Sequence, residues 1–230
     1  FSKMDMFHAG ITLSEVDQVR LKAAKAFFKP KLTDYRLSTE KSDMDNKLLS
    51  LGCPHLDRFF RGGLRLEHLV EFTGLAGSGK TQICLQLATT AQLPEEKGGL
   101  NGDVLYIFTE NNFPAGRLVE IVEYRKSLSM AQSFPSVPST DRIFVEHLDT
   151  YEKLEEFLEG KVYGMLSQKP IKLLIIDSIT NVFRYYDGKL EERSKKIQCI
   201  GRILEELKSK YSLMVICANQ VSDVINDRDD

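Results

Sequence analysis

Several features that define other protein classes are missing from this chain. Its four cysteines form no CxxC pair, which favours plain core thiols in a reducing compartment over a metal or disulfide role. Its four histidines have no metal-ligand spacing, and none lies near a nucleophile, so no hydrolase triad is indicated. The cysteines are Cys53, Cys84, Cys199 and Cys217.

Long apolar runs and a strong charge of one sign are also missing. No stretch approaches the roughly 20 apolar residues of a membrane span, and no secretory signal is visible. The net charge of -2 and the pI near 6.2 exclude a broadly basic, histone-like surface, so any nucleic-acid contact is confined to local loops. We expect a soluble intracellular protein and, because the chain begins at Phe1, a fragment of a longer one.

The patterning predicts one main domain with a small appendage. Residues 1–29 are helical in pattern, with a capping box from Thr12 to Glu15, and the polar stretch 30–47 is a predicted linker. Over 48–230 strands and helices alternate, which predicts an α/β fold with a mostly parallel sheet covered by helices on both faces. The predicted strands are 69–73, 104–109, 143–145, 173–177 and 213–218, and the predicted helices are 80–93, 115–125, 151–166 and 189–210.

The most informative motif is the glycine-rich run Gly74-Leu75-Ala76-Gly77-Ser78-Gly79-Lys80-Thr81. Its glycines let backbone N–H groups surround a β-phosphate, Lys80 reaches the β and γ oxygens, and the Thr81 hydroxyl can coordinate Mg²⁺. A chance match is the alternative, but a predicted strand enters the run and a predicted helix leaves it. The motif therefore predicts a site for a nucleoside triphosphate.

Two carboxylates follow predicted strands. Asp177 ends the apolar run Leu173–Ile176, where a carboxylate can hold the Mg²⁺ shell. Glu110 follows the strand 104–109 and is the best candidate for the base that orients or deprotonates the attacking water. The alternative is that Glu110 is only an exposed acid at the end of a strand, without a catalytic role.

Two further segments remain ambiguous from their chemistry. Asn219-Gln220 ends the last predicted strand, where the amides could sense a γ-phosphate or simply start a turn. The segment from Arg184 through Tyr185 and Lys189 to Arg193 mixes cations and aromatic rings, which suits single-stranded nucleic acid and equally a solvated loop.

These motifs together resemble one family. The runs Leu51–Pro54, Arg61–Gly63, Gly74–Cys84, Thr109-Glu110, Ile176–Ser178 and Asn219-Gln220, in this order, resemble the eukaryotic RecA-type recombinases, in particular the branch of recombinase paralogues. The similarity covers about Leu48 to Val221.

The resemblance implies a RecA-type P-loop ATPase core preceded by the end of a small N-terminal helical domain. It implies a nuclear, DNA-dependent ATPase of homologous recombination and double-strand break repair, which uses ATP and Mg²⁺ and forms hetero-oligomers with related recombinases on single-stranded or branched DNA. The implied catalytic residues are Lys80, Glu110 and the γ-phosphate sensor Gln220. The implied nucleotide contacts are Gly74, Gly77, Ser78, Gly79, Lys80, Thr81, Gln82 and Arg117; the metal contacts are Thr81 and Asp177; and the DNA contacts are Arg184, Tyr185, Lys189 and Arg193.

The chain departs from the family pattern in two places. Phe108 stands where the family usually has Asp, which affects the polar network around Glu110, and Gly188 is the sole glycine in a loop that is usually richer in glycine. The family also continues with further sheet strands beyond residue 230. A structural adaptor that binds ATP to hold a partner interface, or a RecA-fold motor or kinase outside recombination, is the alternative function.

Asp177 gives a first testable prediction. Replacing it by Asn removes a negative ligand while keeping the shape, so we expect weaker Mg²⁺-dependent binding of ATP. Titration of a fluorescent ATP analogue with and without Mg²⁺ measures the effect. An unchanged Mg²⁺ dependence would exclude the metal role.

Overall fold

The computed structural model describes residues 47–66, 68–131, 137–184, 186 and 188–221. The predicted N-terminal helix and nearly all of the predicted linker lie outside these residues, as do Tyr185 and the end of the chain. Where the structure describes the chain, it follows the predicted alternation of strands and helices, and the α/β class is confirmed.

The centre is a five-stranded parallel sheet with the strand order β3-β7-β6-β4-β5. A separate two-stranded antiparallel sheet precedes it, formed by β1 and β2. The strands are β1 (Leu48–Leu49), β2 (Leu64–Arg65), β3 (Leu69–Gly74), β4 (Asp103–Phe108), β5 (Ile143–His147), β6 (Ile171–Asp177) and β7 (Met214–Gln220).

Helices cover both faces of the sheet, which explains why the strands β4, β6 and β7 contain continuous runs of buried residues. Alternate residues of β6 enter opposite cores: Leu173 and Ile175 pack with α2 and α3, whereas Leu174 and Ile176 pack with α4 to α6. The helices are α1 (Pro54–Phe59), α2 (Lys80–Thr90), α3 (Ala115–Ala131), α4 (Tyr151–Glu156), α5 (Val162–Gln168) and α6 (Leu190–Tyr211).

The predicted helix 151–166 is continuous but contains a π-helical segment. This segment, Phe157–Lys161, joins α4 to α5, and the helix ends at Gln168. Its apolar stripe, including Leu154, Leu158 and Val162, is buried in the core, as predicted from its spacing.

The antiparallel pair β1–β2 and the short helix α1 were not predicted, because two-residue strands leave no periodic signal. The carboxylate of Asp57 holds this region together by accepting hydrogen bonds from Ser50 Oγ and from the Leu51 N–H, both at 2.7 Å. Arg125 of α3 donates to the Gly52 carbonyl at 3.1 Å. The segment is thereby fastened to the helices beside the sheet.

Several predicted boundaries were wrong by a few residues. Helix α2 ends at Thr90 rather than 93, and α3 continues to Ala131 rather than 125. The boundary that matters most for the site is the end of β7. This strand continues to Gln220 because it pairs with β3 up to the residue pair Gly74 and Gln220. Asn219 and Gln220 therefore lie in a strand and do not start a turn.

Gly99 generates a stability prediction. A Cβ atom at Gly99 would lie 1.9 Å from the carbonyl oxygen of Leu93, a backbone atom that cannot swing away. We expect Gly99→Ala to lower the free energy of unfolding by about 1–3 kcal/mol, measured by urea denaturation.

Gly201→Ala is the matched control. Gly201 lies within α6 and a Cβ atom there would meet nothing within 4 Å. This variant should keep or raise stability, because alanine favours a helix by roughly 0.5–1 kcal/mol over glycine. Equal destabilisation by the two substitutions would contradict the steric explanation.

Candidate nucleotide site

The glycine-rich run forms a loop between the carboxyl end of β3 and the N-terminus of α2. Gly77 and Gly79 adopt φ angles of 75° and 93°, a conformation that other residues rarely take. A Cβ atom at Gly74 would lie 2.7 Å from Ser78 Oγ. The loop therefore needs glycine at these positions, and α2 directs its positive dipole end toward the enclosed space.

Lys80 lies folded over this loop. Its Nζ donates to the carbonyl oxygens of Gly74 and Leu75, both at 2.8 Å. These are weak, neutral acceptors compared with a phosphate, which a Lys ammonium binds with charge-assisted hydrogen bonds. The ammonium group is thus held at the loop by contacts that a triphosphate can replace.

A cleft of about 400 Å³ lies between the loop and the ends of β4, β6 and β7. The predicted metal, base and sensor residues converge in it with most of the predicted phosphate contacts, whereas Gly74 and Ser78 of the loop are not among its lining residues. Its lining residues are Ala76, Gly77, Gly79, Lys80, Thr81, Gln82, Glu110, Asp177, Ser178 and Gln220.

The carboxylate of Asp177 is oriented by a buried tyrosine. The Tyr106 hydroxyl, from the adjacent strand β4, donates to Asp177 Oδ2 at 2.7 Å. Burial raises the pKa of the Tyr106 phenol well above its ordinary value, and the nearby carboxylate of Asp177 raises it further. Tyr106 therefore stays protonated and remains a donor at neutral and moderately basic pH.

Thr109 fastens the end of β4 to the end of β6. Its Oγ1 donates to the Ser178 carbonyl at 2.8 Å and accepts from the Ser178 N–H at 3.0 Å. Its own carbonyl accepts from Asn181 Nδ2 at 2.5 Å. Glu110 is exposed and directly follows Thr109. The buried hydrogen bonds of Thr109 therefore fix the backbone position from which the Glu110 carboxylate reaches the cleft.

The two amides at the end of β7 have different surroundings. Gln220 lines the cleft, and its backbone N–H donates to Thr180 Oγ1 at 3.4 Å. Asn219 Nδ2 instead donates to Glu71 Oε1 of β3 at 2.6 Å. Of these two residues only Gln220 lines the cleft.

The donor set suits Mg²⁺. The Thr81 hydroxyl and the Asp177 carboxylate are hard oxygen ligands in the same cleft, which Mg²⁺ prefers when phosphate oxygens complete its shell. Among the described residues no group of three or more His, Cys, Asp or Glu side chains forms a metal cage of its own. The residues therefore fit a metal brought in with a triphosphate.

Phe108, the departure noted beside Glu110, belongs to an aromatic cluster. Its ring stacks on His147 of β5 with centroids 4.5 Å apart and contacts Phe113 at 5.2 Å. Phe113 in turn contacts the ring of Tyr106 at 5.2 Å. An apolar packing unit thus replaces the polar network expected at this point.

The remaining predicted contacts lie around the cleft. Arg117 donates through Nε to Gln82 Oε1 at 3.0 Å and through Nη1 to Glu120 at 2.7 Å, so it reaches the cleft through Gln82. Arg184 and Arg193 line a neighbouring cavity of about 330 Å³, whereas Lys189 is exposed.

Sequence reasoning missed Tyr106, Thr109 and Ser178. Tyr106 lies within the apolar strand β4, where its spacing predicts only a buried side chain. Nothing in that pattern shows that its hydroxyl meets Asp177. Ser178 is buried and lines both the cleft and the neighbouring cavity. The family motif includes it, but its position between two cavities follows only from the packing.

The fold and the cleft define a P-loop nucleotide-binding domain of the RecA type. Comparison with protein-family models matches residues 45–228 to the family described as Rad51. The chain belongs to the Rad51 family, a family of RecA-type ATPases.

Curated relatives agree with this assignment. The chain is 35% identical over 185 residues to the protein named DNA repair protein XRCC3 of Mus musculus, covering 78% of this chain and 53% of that protein. It is 34% identical to the XRCC3 homolog of Arabidopsis thaliana over 80% of this chain and 63% of that protein. It is 33% identical to DNA repair protein RAD51 homolog 2 of Mus musculus, over 93% and 62%.

These relatives confirm the resemblance to the recombinase paralogues. The runs Leu51–Pro54, Arg61–Leu64 and Phe144–His147 predict a particular likeness to XRCC3, and the identity to the mouse XRCC3 protein agrees with that prediction. The chain spans between about half and two thirds of the length of the relatives named here.

Tyr106 provides a test of the metal site. Removing its hydroxyl by Tyr106→Phe leaves Asp177 without the partner that orients it, and loss of such a partner typically lowers metal affinity roughly 10–100-fold. We expect a loss of this order in the Mg²⁺ concentration dependence of ATP-analogue binding, with binding in EDTA unchanged.

Tyr124→Phe is the control, because Tyr124 is 65% exposed on α3. It should leave the Mg²⁺ dependence as in the parent. If Tyr106→Phe did the same, the Tyr106–Asp177 contact would be irrelevant to the metal.

Proposed function

We propose that this chain is an ATP-binding, DNA-dependent ATPase of homologous recombination and double-strand break repair. The observation that carries the proposal is the convergence of Lys80, Thr81, Glu110, Asp177 and Gln220 on one cleft. In this order, these residues would supply a cation that binds the phosphates, a first metal ligand, a general base, a second metal ligand and an amide that faces the phosphates. The names of the relatives, both DNA repair proteins, support the biological setting.

The proposed reaction is hydrolysis of the γ-phosphate. Glu110 accepts a proton from a water whose oxygen bonds to the γ-phosphorus, and the bond from that phosphorus to the β,γ-bridging oxygen breaks. The electron pair of the broken bond stays on the ADP oxygen, so the products are ADP and orthophosphate. Mg²⁺ would neutralise phosphate charge, and Lys80 would stabilise the charge that develops on the leaving group.

DNA would act on this site through the segment that follows β6. Arg184 and Arg193 offer guanidinium groups to backbone phosphates and line a cavity that shares Ser178 and Gln220 with the cleft. A strand bound there would contact the residues that border the γ-phosphate. This adjacency supports hydrolysis that responds to single-stranded or branched DNA.

The proposed partners are related recombinase paralogues and the main recombinase. In such a hetero-oligomer a neighbouring subunit would complete the ATP site, and the setting would be the nucleus. No described helix is long and apolar enough to cross a membrane.

A structural adaptor is the second candidate, and one observation favours it. Tyr186, an aromatic side chain of the proposed DNA segment, is already engaged by the protein: its hydroxyl donates to Glu192 at 3.3 Å, and Lys196 Nζ lies 5.3 Å from its ring centroid. A ring held in this way is less available for stacking on bases. An adaptor would bind ATP and show no response to DNA.

Glu110→Gln tests the enzymatic role. The amide cannot accept the proton, so we expect a hydrolysis rate roughly 100-fold or more below the parent, with ATP-analogue affinity within a few-fold. Steady-state assays with and without single-stranded DNA measure the rate and its stimulation.

The control for charge is Glu123→Gln, which changes an exposed acid on α3. It should retain the parental rate. A Glu110→Gln rate equal to the parent would exclude the catalytic role, and a parent that binds ATP without stimulation by DNA would favour the adaptor.

A further inference from the structure

The cavity beside the nucleotide cleft combines cationic side chains with an unsatisfied buried hydroxyl. It encloses about 330 Å³ and is lined by Ser178, Thr180, Asn181, Arg184, Arg193 and Gln220. The Ser178 side chain is 3% exposed, and its Oγ is buried without a hydrogen-bond partner among the described residues. A buried hydroxyl without a partner is costly, so a ligand or a water that supplies one is favoured here.

The backbone at Arg184 is hydrogen-bonded beside this cavity, and the guanidinium group of Arg193 lies near an aromatic ring. Arg193 lies at the start of α6, and its guanidinium carbon lies 5.6 Å from the ring centroid of Phe183, a buried residue. Arg184 follows the 3₁₀ turn Asn181–Phe183, and its N–H donates to the Asn181 carbonyl at 2.9 Å. Two arginines from opposite ends of one segment thus line a single space, and guanidinium groups there would offer the planar pairs of donors that bind phosphate.

The cavity lies next to the cleft in which the γ-phosphate would be cleaved. Ser178 and Gln220 line both spaces, so they form the boundary between them. Asn181, on the cavity wall, donates to the carbonyl of Thr109, the residue before Glu110. A γ-phosphate cleaved in the cleft would therefore lie across Ser178 and Gln220 from a space that two arginines line.

We propose that this cavity is a binding site for orthophosphate, the product of hydrolysis, held by Arg184 and Arg193 with the Ser178 hydroxyl as a further donor. The proposal rests on the proposed ATPase function, because hydrolysis supplies the ligand. The proposal concerns the chain without DNA: the proposed function gives the same guanidinium groups to DNA backbone phosphates, which would compete with orthophosphate, and the experiment separates these two sources.

The test uses the full chain with ADP and Mg²⁺ at saturation, so that the loop Gly74–Thr81 is filled. Binding of a fluorescent ADP analogue is measured first and tests the proposed function by itself. Orthophosphate is then titrated at constant ionic strength, and the broadening of its ³¹P resonance reports binding. We expect saturable broadening in the parent.

Arg193→Gln should lower the orthophosphate affinity roughly tenfold or more, because it removes charge-assisted hydrogen bonds. Arg202→Gln is the matched control: it makes the same change on an exposed residue of the same helix and should behave as the parent. Intact ADP binding in all three proteins shows that they are folded.

Three results would overturn the proposal while leaving nucleotide binding in place. They are the absence of saturable broadening, equal orthophosphate affinity in Arg193→Gln and the parent, and equal losses in Arg193→Gln and Arg202→Gln. An oligothymidylate titration completes the test. Loss of oligonucleotide binding in Arg193→Gln, in a parent that binds no orthophosphate, would assign the cavity to DNA backbone phosphates.

Discussion

Burial of both faces of the parallel sheet is the constraint on which the rest of the structure depends. Because Leu173 and Ile175 enter one core while Leu174 and Ile176 enter the other, β6 cannot slip by one residue without reversing every side chain. The register with its neighbours is therefore fixed. As a consequence, the ends of β3, β4, β6 and β7 meet at one edge, and the residues that follow them share one cleft.

Polar contacts then set positions that the cores alone leave open. Thr109 joins the ends of β4 and β6, and Tyr106 reaches across the same two strands to Asp177. These bonds are buried or partly buried, where an unmade bond is costly, so they hold the proposed base and the proposed metal ligand in a fixed relation. Glu110 and Asp177 can then act on one triphosphate without rearrangement of the strands.

The same edge explains why the cleft and the cavity that the two arginines line lie side by side. Ser178 follows β6, Gln220 ends the neighbouring strand β7, and both residues line the two spaces. Any anion held by Arg184 and Arg193 therefore lies against residues that also face the nucleotide. Phe108, which precedes this edge on β4, packs instead in a cluster of aromatic rings with Phe113 and His147.

The sequence by itself determined the fold class, the phosphate loop and the candidate roles of Glu110 and Asp177, because glycine spacing and apolar runs are local patterns. It did not determine the short pair β1–β2 or the partner of the Asn219 side chain, since these depend on contacts between residues far apart along the chain. Only the tertiary structure brought the Tyr106 hydroxyl to Asp177 and placed Ser178 between two cavities. Such contacts join residues from different strands, and no local pattern records them.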